Sequence, residues 1–363
     1  MKFCFYIHSL NGGGAERVTA ILASHFVNHG YEVSVLTMAE VESDFYTLDP
    51  RVRRMSLSLA GGSLGLAKLA ANLRRWRALR RIFKEEQPDV VVAMMTTSIV
   101  LAILAAVGLP VRVYGSERNY PAHQRIGRIW AILRRLVYRF ARGHVAQTNE
   151  VAAWLKQYTG AHNVHVVPNP VVWPIPSCAP IVYPLSLVPS DRKIILAVGS
   201  KPEQKGFDLL LKAFAGLMPS YPDWDLVILG VDELLVLPLA EDEAVTKRLH
   251  LPGRVGNVSD WYQRSDVFVL SSRYEGFPNV LIEAMASGCP CVAFDCDTGP
   301  RDMIENRVNG ILVPPEDIDE LKVAMKNLMS DPDLRSQLGK QACSVRETFS
   351  ELRVVTLWQE VLQ

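Results

Sequence analysis

At 363 residues the chain exceeds the roughly 250–300 residues at which one hydrophobic core stops growing, which predicts two domains. Apolar residues make up 49% and charged residues 21%, with no low-complexity tract, which excludes a disordered or fibrous protein. The net charge of +1 conceals a division: residues 1–185 carry 21 Lys or Arg against 11 Asp or Glu, and residues 186–363 carry 18 against 27, so the halves have different partners or face each other.

The amino terminus lacks a basic flank, long apolar run and cleavage site in series, which predicts retention in the cytosol. The six cysteines, most of them in apolar runs, read as reduced thiols; Cys289, Cys291 and Cys296 lack the paired spacing of a zinc site. Segments 2–8, 32–37, 90–95, 112–115, 144–148 and 164–167 read as strands, most of them separated by amphipathic helices, which is the order of a parallel, doubly wound α/β sheet.

The first strand runs into HSLNGGGAER, where Gly12, Gly13 and Gly14 would let backbone N–H groups approach a phosphate at a helix start. A dinucleotide site competes, with Glu40 as its ribose acid, but Arg17 occupies the third glycine position; a ligand-free turn is the other alternative. Residues 66–84 and 125–142 form two basic amphipathic patterns. In the first, Leu66, Leu69, Leu73, Trp76, Leu79 and Phe83 recur among Lys68, Arg74, Arg75, Arg77, Arg80, Arg81 and Lys84. In the second, Ile129, Trp130, Leu133, Leu136, Val137 and Phe140 recur among Arg125, Arg128, Arg134, Arg135, Arg139 and Arg142. Such helices suit an anionic membrane surface, each nearby cation contributing roughly 1 kcal/mol, or they are core faces with solvated cations outside. No nucleic-acid-binding motif accompanies the cations, so nucleic acid is not expected.

Residues 90–111 carry no charge and are long enough to span a bilayer, but Thr96–Ser98 and Gly108 divide them into a buried strand and a helix over 99–107. Seven prolines between Pro168 and Pro189 forbid regular helix. The expected order is therefore a first domain over 1–170, a connector over 171–190 and a second domain over 191–345. A closing helix within 346–363 would be free to pack back on the first domain. Strands at 193–198, 225–229, 249–251, 266–270, 289–294 and 310–313 repeat the first architecture, predicting two sheets whose strand carboxyl ends face a cleft.

Two motifs in the second half carry chemistry. In AVGSKPEQKGFDLLL a strand ends at Gly199, and Lys205 precedes a helix over 207–218, where a compact ammonium suits a diphosphate. In SSRYEGFPNVLIEAMASG, Glu275 and Gly276 lie in a turn, Pro278 stands at the first helical position, and Asn279 and Val280 offer N–H groups to a phosphate. Glu283, one turn on, can grip vicinal ribose hydroxyls; an acid–base pair with Glu275 is the rival reading.

The segments EGFPNVLIE, GRVGNVSDWYQRSDVFV, FDCDTGPRDMI, NGILVPPED and NGGGAER together resemble the retaining glycosyltransferases of family 4, of GT-B fold, across nearly the whole chain. The resemblance implies Glu283 at the ribose, Glu275 at the donor sugar beside Phe277 and Asn279, Lys205 on the diphosphate, Gly13 and Gly14 in a closing loop, and Arg254 and Val255 at the base. It implies transfer from a nucleotide sugar, UDP by family frequency, with the departing phosphate assisting and no metal cofactor. Ser200 replaces the family's usual arginine, for which Lys201 could substitute. The acceptor loop GSERNYP has Arg118, between Glu117 and Asn119, nearest the position of an expected histidine, so no general base is assigned. Asp295, Cys296 and Asp297 spell the DxD of metal-binding transferases, but they lie in what resembles the donor-sugar loop. The reading is an enzyme extending a lipid-linked saccharide at the cytosolic membrane face. An epimerase, a phosphorylase or a non-catalytic nucleotide-sugar sensor are the alternatives.

Overall fold

The computed structural model describes residues 1–61, 66–124, 126–240 and 242–363, with the side chains of 66–69 also outside the description. The chain divides into one compact unit of Met1–Pro170 with Val354–Gln363, and a second of Val171–Arg353. Each is built on an all-parallel sheet.

The first sheet holds β1 (Lys2–Ile7), β2 (Glu32–Thr37), β3 (Arg53–Ser56), β4 (Val90–Met94), β5 (Arg112–Ser116), β6 (Gly143–Ala146) and β7 (Val164–Val166), in the order β3-β2-β1-β4-β5-β6-β7. The second holds β8 (Lys193–Val198), β9 (Trp224–Leu229), β10 (Leu249–Gly253), β11 (Val267–Leu270), β12 (Cys291–Phe294) and β13 (Ile311–Val313), in the order β10-β9-β8-β11-β12-β13. Helices cover both faces, which is why central strands such as VVVAM of β4 are apolar at every position rather than alternating. The strand order reverses between β1 and β4 in the first sheet and between β8 and β11 in the second. At such switch points the connections leave in opposite directions and open a crevice at the strand carboxyl ends.

The uncharged stretch is strand β4 followed by a buried helix, Thr96–Ala106, ended by Gly108 at φ +71°. That helix begins three residues earlier than expected: Met95, at φ +72°, turns the chain, and Thr96 enters the helix directly. No helix of the described residues is long and apolar enough to cross a membrane. Strand β3 escaped sequence reading because its RRMS lacks any apolar pattern; Arg54 is held by an ion pair to Asp44 at 2.7 Å.

The proline-rich segment contributes to the second unit's core: Val171, Ile175 and Val188 are buried there among Trp261, Phe277 and Ile282. The last helix, Glu351–Leu362, places Val354, Val355, Trp358 and Leu362 in the core of the first unit with Phe3, Phe5 and Phe26. Trp358 is fully buried. Trp358→Ala should lower the first unit's stability by about 3–5 kcal/mol, the cost of a large buried truncation, read as an earlier unfolding transition in urea monitored by near-UV circular dichroism.

Candidate functional site

The switch point of the second sheet lies between the loops that follow β8 and β11, and these two loops meet. The short helix Pro202–Lys205 ends at Gly206, in the left-handed region at φ +61°. A Cβ on Gly206 would stand 2.0 Å from the carbonyl oxygen of Ser271, so only glycine lets the two loops lie backbone to backbone. The contact is tied further: Ser271 Oγ donates to the Lys205 carbonyl at 2.8 Å, Arg273 N to the Gln204 carbonyl at 2.9 Å, and Gln204 Nε2 to the Tyr274 carbonyl at 3.2 Å. Arg273 also forks onto Asp208 at 2.7 and 2.9 Å and reaches Glu316 at 2.9 Å, and these bonds hold the Asp208 carboxyl below its ordinary range.

This framework sets Lys205 against Glu275. The Lys205 stem crosses directly over Gly199, where a Cβ would meet its Cγ at 2.6 Å. Lys205 Nζ then reaches Glu275 Oε1 at 2.7 Å, with the side chains 14% and 8% exposed. Ser272 Oγ donates to the same oxygen at 2.6 Å, and Thr298 Oγ1 donates to the Glu275 carbonyl at 2.6 Å. The Thr298 contact had no local sequence signal, because Thr298 arrives from 23 residues away.

The following helix runs Asn279–Ala286, with Pro278 as its cap rather than its first residue. The Pro278 carbonyl accepts from Leu281 N at 3.0 Å and Ile282 N at 3.3 Å, and the N–H groups of Asn279 and Val280 form the first turn of the helix. Their partial positive charge points out of the helix start beside Lys205 and Glu275. Phe277 is buried, and Val255 and Val280 pack on the same core. Glu283 is 7% exposed, and the Tyr262 hydroxyl lies 3.2 Å from its Oε2. The structure therefore brings Lys205, Glu275, Asn279, Val280 and Glu283 to one end of one sheet. Ser200, Lys201 and Arg254 are exposed, Ser200 and Lys201 following β8 and Arg254 following β10. Asp295 is paired with Arg301 at 2.8 Å, and Cys296, whose thiol burial pushes up to about 12, points inward between the two carboxylates. Among the described residues no three His, Cys, Asp or Glu cluster to hold a metal.

In the first unit, Gly13 caps the helix Gly14–Asn28, and the Glu16 side chain folds back over it: a Cβ on Gly13 would stand 2.2 Å from Glu16 Oε2. Glu117 and Arg118 are buried. Glu117 is fully buried, accepting from Thr96 Oγ1 at 2.8 Å and from Tyr138, and burial holds its carboxyl above the ordinary range. Arg118 is 6% exposed and donates to Asn169; burial lowers it to about 9. Asn119 alone of the three is exposed. These two charges point inward because the strand end at Ser116 is covered by Tyr138 and Asn169, which sequence spacing does not reveal.

Residues 185–345 match the family described as Glycosyl transferases group 1, and residues 12–172 match Glycosyltransferase Family 4. An uncharacterized glycosyltransferase of Haemophilus influenzae is 26% identical over 99% of both chains. A second relative, from Campylobacter jejuni, is 27% identical over 94% of both; it is named GalNAc-alpha-(1->4)-GalNAc-alpha-(1->3)-diNAcBac-PP-undecaprenol alpha-1,4-N-acetyl-D-galactosaminyltransferase. The solved structure of Anabaena HepE with UDP and glucose superposes at a TM-score of 0.81, covering 100% of this chain and 99% of its own, at 18% identity.

Glu117→Gln keeps a hydrogen-bond acceptor for Tyr138 and Thr96 but cannot ionise. The folded carboxyl holds its proton more tightly than the unfolded one, so its contribution is present at low pH and lost as pH rises through its raised range. Urea titrations of both proteins should find wild type losing stability relative to Glu117→Gln as pH rises from the ordinary carboxylate range upward.

Proposed function

Belonging to the GT-B glycosyltransferases of family 4, this chain is a sugar transferase, and we propose that it carries a hexose or N-acetylhexosamine from UDP to a lipid-linked saccharide. The observation that carries donor use is the Lys205–Glu275 pair set against the start of helix Asn279–Ala286, inside the segment matching the group 1 family. UDP as carrier is supported by the UDP-bound Anabaena neighbour, and the lipid-linked acceptor by the undecaprenol named for the Campylobacter relative.

In this reading the donor diphosphate replaces Glu275 as the partner of Lys205. The ammonium and the Asn279 and Val280 N–H groups then oppose the negative charge that grows on the leaving phosphate. Glu275, released, accepts hydrogen bonds from the sugar hydroxyls, and Glu283 accepts from the ribose. The acceptor hydroxyl attacks the anomeric carbon on the face that UDP leaves, so configuration is retained. The bond from that carbon to the phosphate oxygen breaks, and the hydroxyl proton passes to the departing phosphate. Since Lys205 and the helix start supply the positive charge, no metal is required.

An anionic membrane at the cytosolic face is the proposed surface, with one of the two basic helices docking on it. In helix Leu66–Glu86, Leu79 and Phe83 are buried and Trp76 packs on the core, while Leu73 is 44% exposed, so most of its described apolar stripe is a core face; Leu66, Lys68 and Leu69 lie outside the described side chains. Helix Arg128–Val137 and the turn after it differ. Trp130, Leu133 and Val137 face the core, but Ile129, Ile132, Leu136 and Phe140 are 52–72% exposed among exposed Arg128, Arg135, Arg139 and Arg142. Arg125 lies outside the described residues. An apolar ridge flanked by guanidinium groups matches the acyl–headgroup boundary of an anionic bilayer.

Lys205→Met should reduce transfer from UDP-sugars at least about 100-fold and weaken UDP binding, with circular dichroism unchanged. Full activity in that variant would overturn the donor assignment. Transfer should persist in excess chelator; complete loss restored by magnesium or manganese would overturn the metal-free mechanism. The protein should float with phosphatidylglycerol-containing vesicles at low salt, and Ile132→Asp combined with Phe140→Asp should abolish flotation; a wild type that sediments without the vesicles refutes the membrane surface.

A further inference from the structure

After β9 the chain reads GVDELLVLPLAEDEAVT, residues 230–246, which hold five Asp or Glu and no Lys or Arg. The short helix Glu233–Val236 and the turn Leu237–Leu239 crowd apolar residues into little more than one helical turn, more than a single face can bury. Val236 is fully buried and Leu239 packs on the second unit's core, which turns Leu234, Leu235 and Leu237 outward, 73%, 55% and 37% exposed. Exposed acids flank them, Asp232 and Glu233 before and Asp242 and Glu243 after. Asp232 and Asp242 accept from Leu234 N at 3.0 Å and Ala244 N at 2.8 Å, bonds that leave the carboxylate charge in place. Glu243 pairs with Lys247 at 3.0 Å, both side chains remaining exposed. A lone exposed leucine needs no account, but three in succession with an acidic rim form a ridge suited to a partner.

The same chain carries the opposite surface. Residues 125–142 hold six arginines and no acid. On helix Arg128–Val137 and the turn after it, Ile129, Ile132, Leu136 and Phe140 are 52–72% exposed. Arg128, Arg135, Arg139 and Arg142 are exposed around them. The leucine ridge is apolar with an acidic rim, and this one is apolar with a basic rim. Two leucine ridges would bring acid against acid, and two arginine ridges cation against cation, so each ridge is complementary to the other and not to itself. An acidic rim is also repelled by anionic lipid, which separates the leucine ridge from the membrane surface argued above.

We propose that the leucine ridge of one copy docks on the arginine-flanked ridge of a second copy: Leu234, Leu235 and Leu237 meet Ile132, Leu136 and Phe140, and the acids on one rim face the guanidinium groups on the other. The contact is heterologous, joining unlike surfaces of identical chains. It gives the division of charge between the two halves of the sequence a physical purpose, since a chain uniformly mixed in sign would offer neither rim. Where no bilayer is present, a second copy covers the apolar residues that the membrane would otherwise take. The two ridges are small, so the association belongs with weak, reversible interfaces.

The test follows the full chain by sedimentation velocity without lipid, over about 1–200 μM, the span of a weak interface. Wild type should pass from monomer to larger species with half-association at roughly 10–100 μM. Raising salt from about 0.05 to 0.5 M should weaken the association at least about 5-fold, because rim charges are screened. Leu234→Asp combined with Leu235→Asp should remain monomeric, and so should Ile132→Asp combined with Phe140→Asp. All four positions are exposed, so both proteins should keep the wild-type circular dichroism. Mixing them should restore association as pairs of one copy of each, because one protein keeps the basic ridge and the other the leucine ridge. A wild type monomeric throughout, association unmoved by salt, self-association persisting in either variant, or a mixture that stays monomeric would each overturn the contact. Flotation with phosphatidylglycerol-containing vesicles should be no weaker for the Leu234→Asp and Leu235→Asp protein than for wild type; weaker flotation would assign the leucine ridge to the bilayer and overturn its docking on a second copy.

Discussion

Gly206 lying against the Ser271 carbonyl is the contact on which the carboxy-terminal site depends. Two loops leave neighbouring strands in opposite directions, and left to themselves they would diverge. A residue without a Cβ, in a left-handed turn that other residues adopt at a cost, lets one backbone press on the other. Lys205 and Glu275, 70 residues apart, then become a close ion pair, with the start of helix Asn279–Ala286 four residues on from Glu275. Each component is ordinary: a short helix, a lysine, a turn, a proline-capped helix. Their coincidence at one end of one sheet gathers an ammonium, two buried carboxylates and a helix start in one loop cluster.

The two units illustrate what a sequence makes legible. Buried parallel strands announce themselves, because a run such as VVVAM has no other reason to be apolar throughout, and the two sheets were readable from runs of that kind. Helix starts were readable to within a few residues; Met95 and Pro278 shifted them because a cap is decided by dihedral angles and not by residue type alone. Lys205, Glu275 and Glu283 were legible through glycines, a proline and spacing that only a strand–turn–helix satisfies. Tyr262 and Thr298 were not, since their roles exist only once segments more than twenty residues apart meet. Glu117 and Arg118 show another limit. Spacing places them in a polar loop but not their depth: Glu117 bonds to Tyr138 and Arg118 to Asn169, and burial shifts both.

The basic helices were legible as amphipathic but not in their orientation. Period alone cannot say which side of a helix meets the core when arginines and large apolar residues alternate on both. In helix Leu66–Glu86 the core takes Trp76, Leu79 and Phe83 and leaves Leu73 outside, whereas in helix Arg128–Val137 it takes Trp130, Leu133 and Val137 and leaves Ile129, Ile132 and Leu136 outside. Arg134 is buried on that second helix, its guanidinium 4.6 Å from the Trp154 ring, while Ile132 is exposed, an exchange that hydrophobicity would not choose without neighbours to stack on. The same helix is anchored from within, since Tyr138 beyond its end bonds to Glu117 at the end of β5. A surface contact on this helix is thereby mechanically joined to the strand ends of the first sheet.

The return of Val354, Val355, Trp358 and Leu362 to the first unit makes the second an insertion within it. Synthesis proceeds from the amino terminus, so the first sheet emerges with an unfilled place beside Phe3, Phe5 and Phe26 and must keep it through the making of the entire second unit. The second unit, contiguous in sequence, can close as soon as it is complete. Order of birth and order of completion are therefore reversed: the half that is made first is finished last, and a ribosome that stops short of Trp358 leaves a protein with its second unit whole and its first unit open to water along one seam.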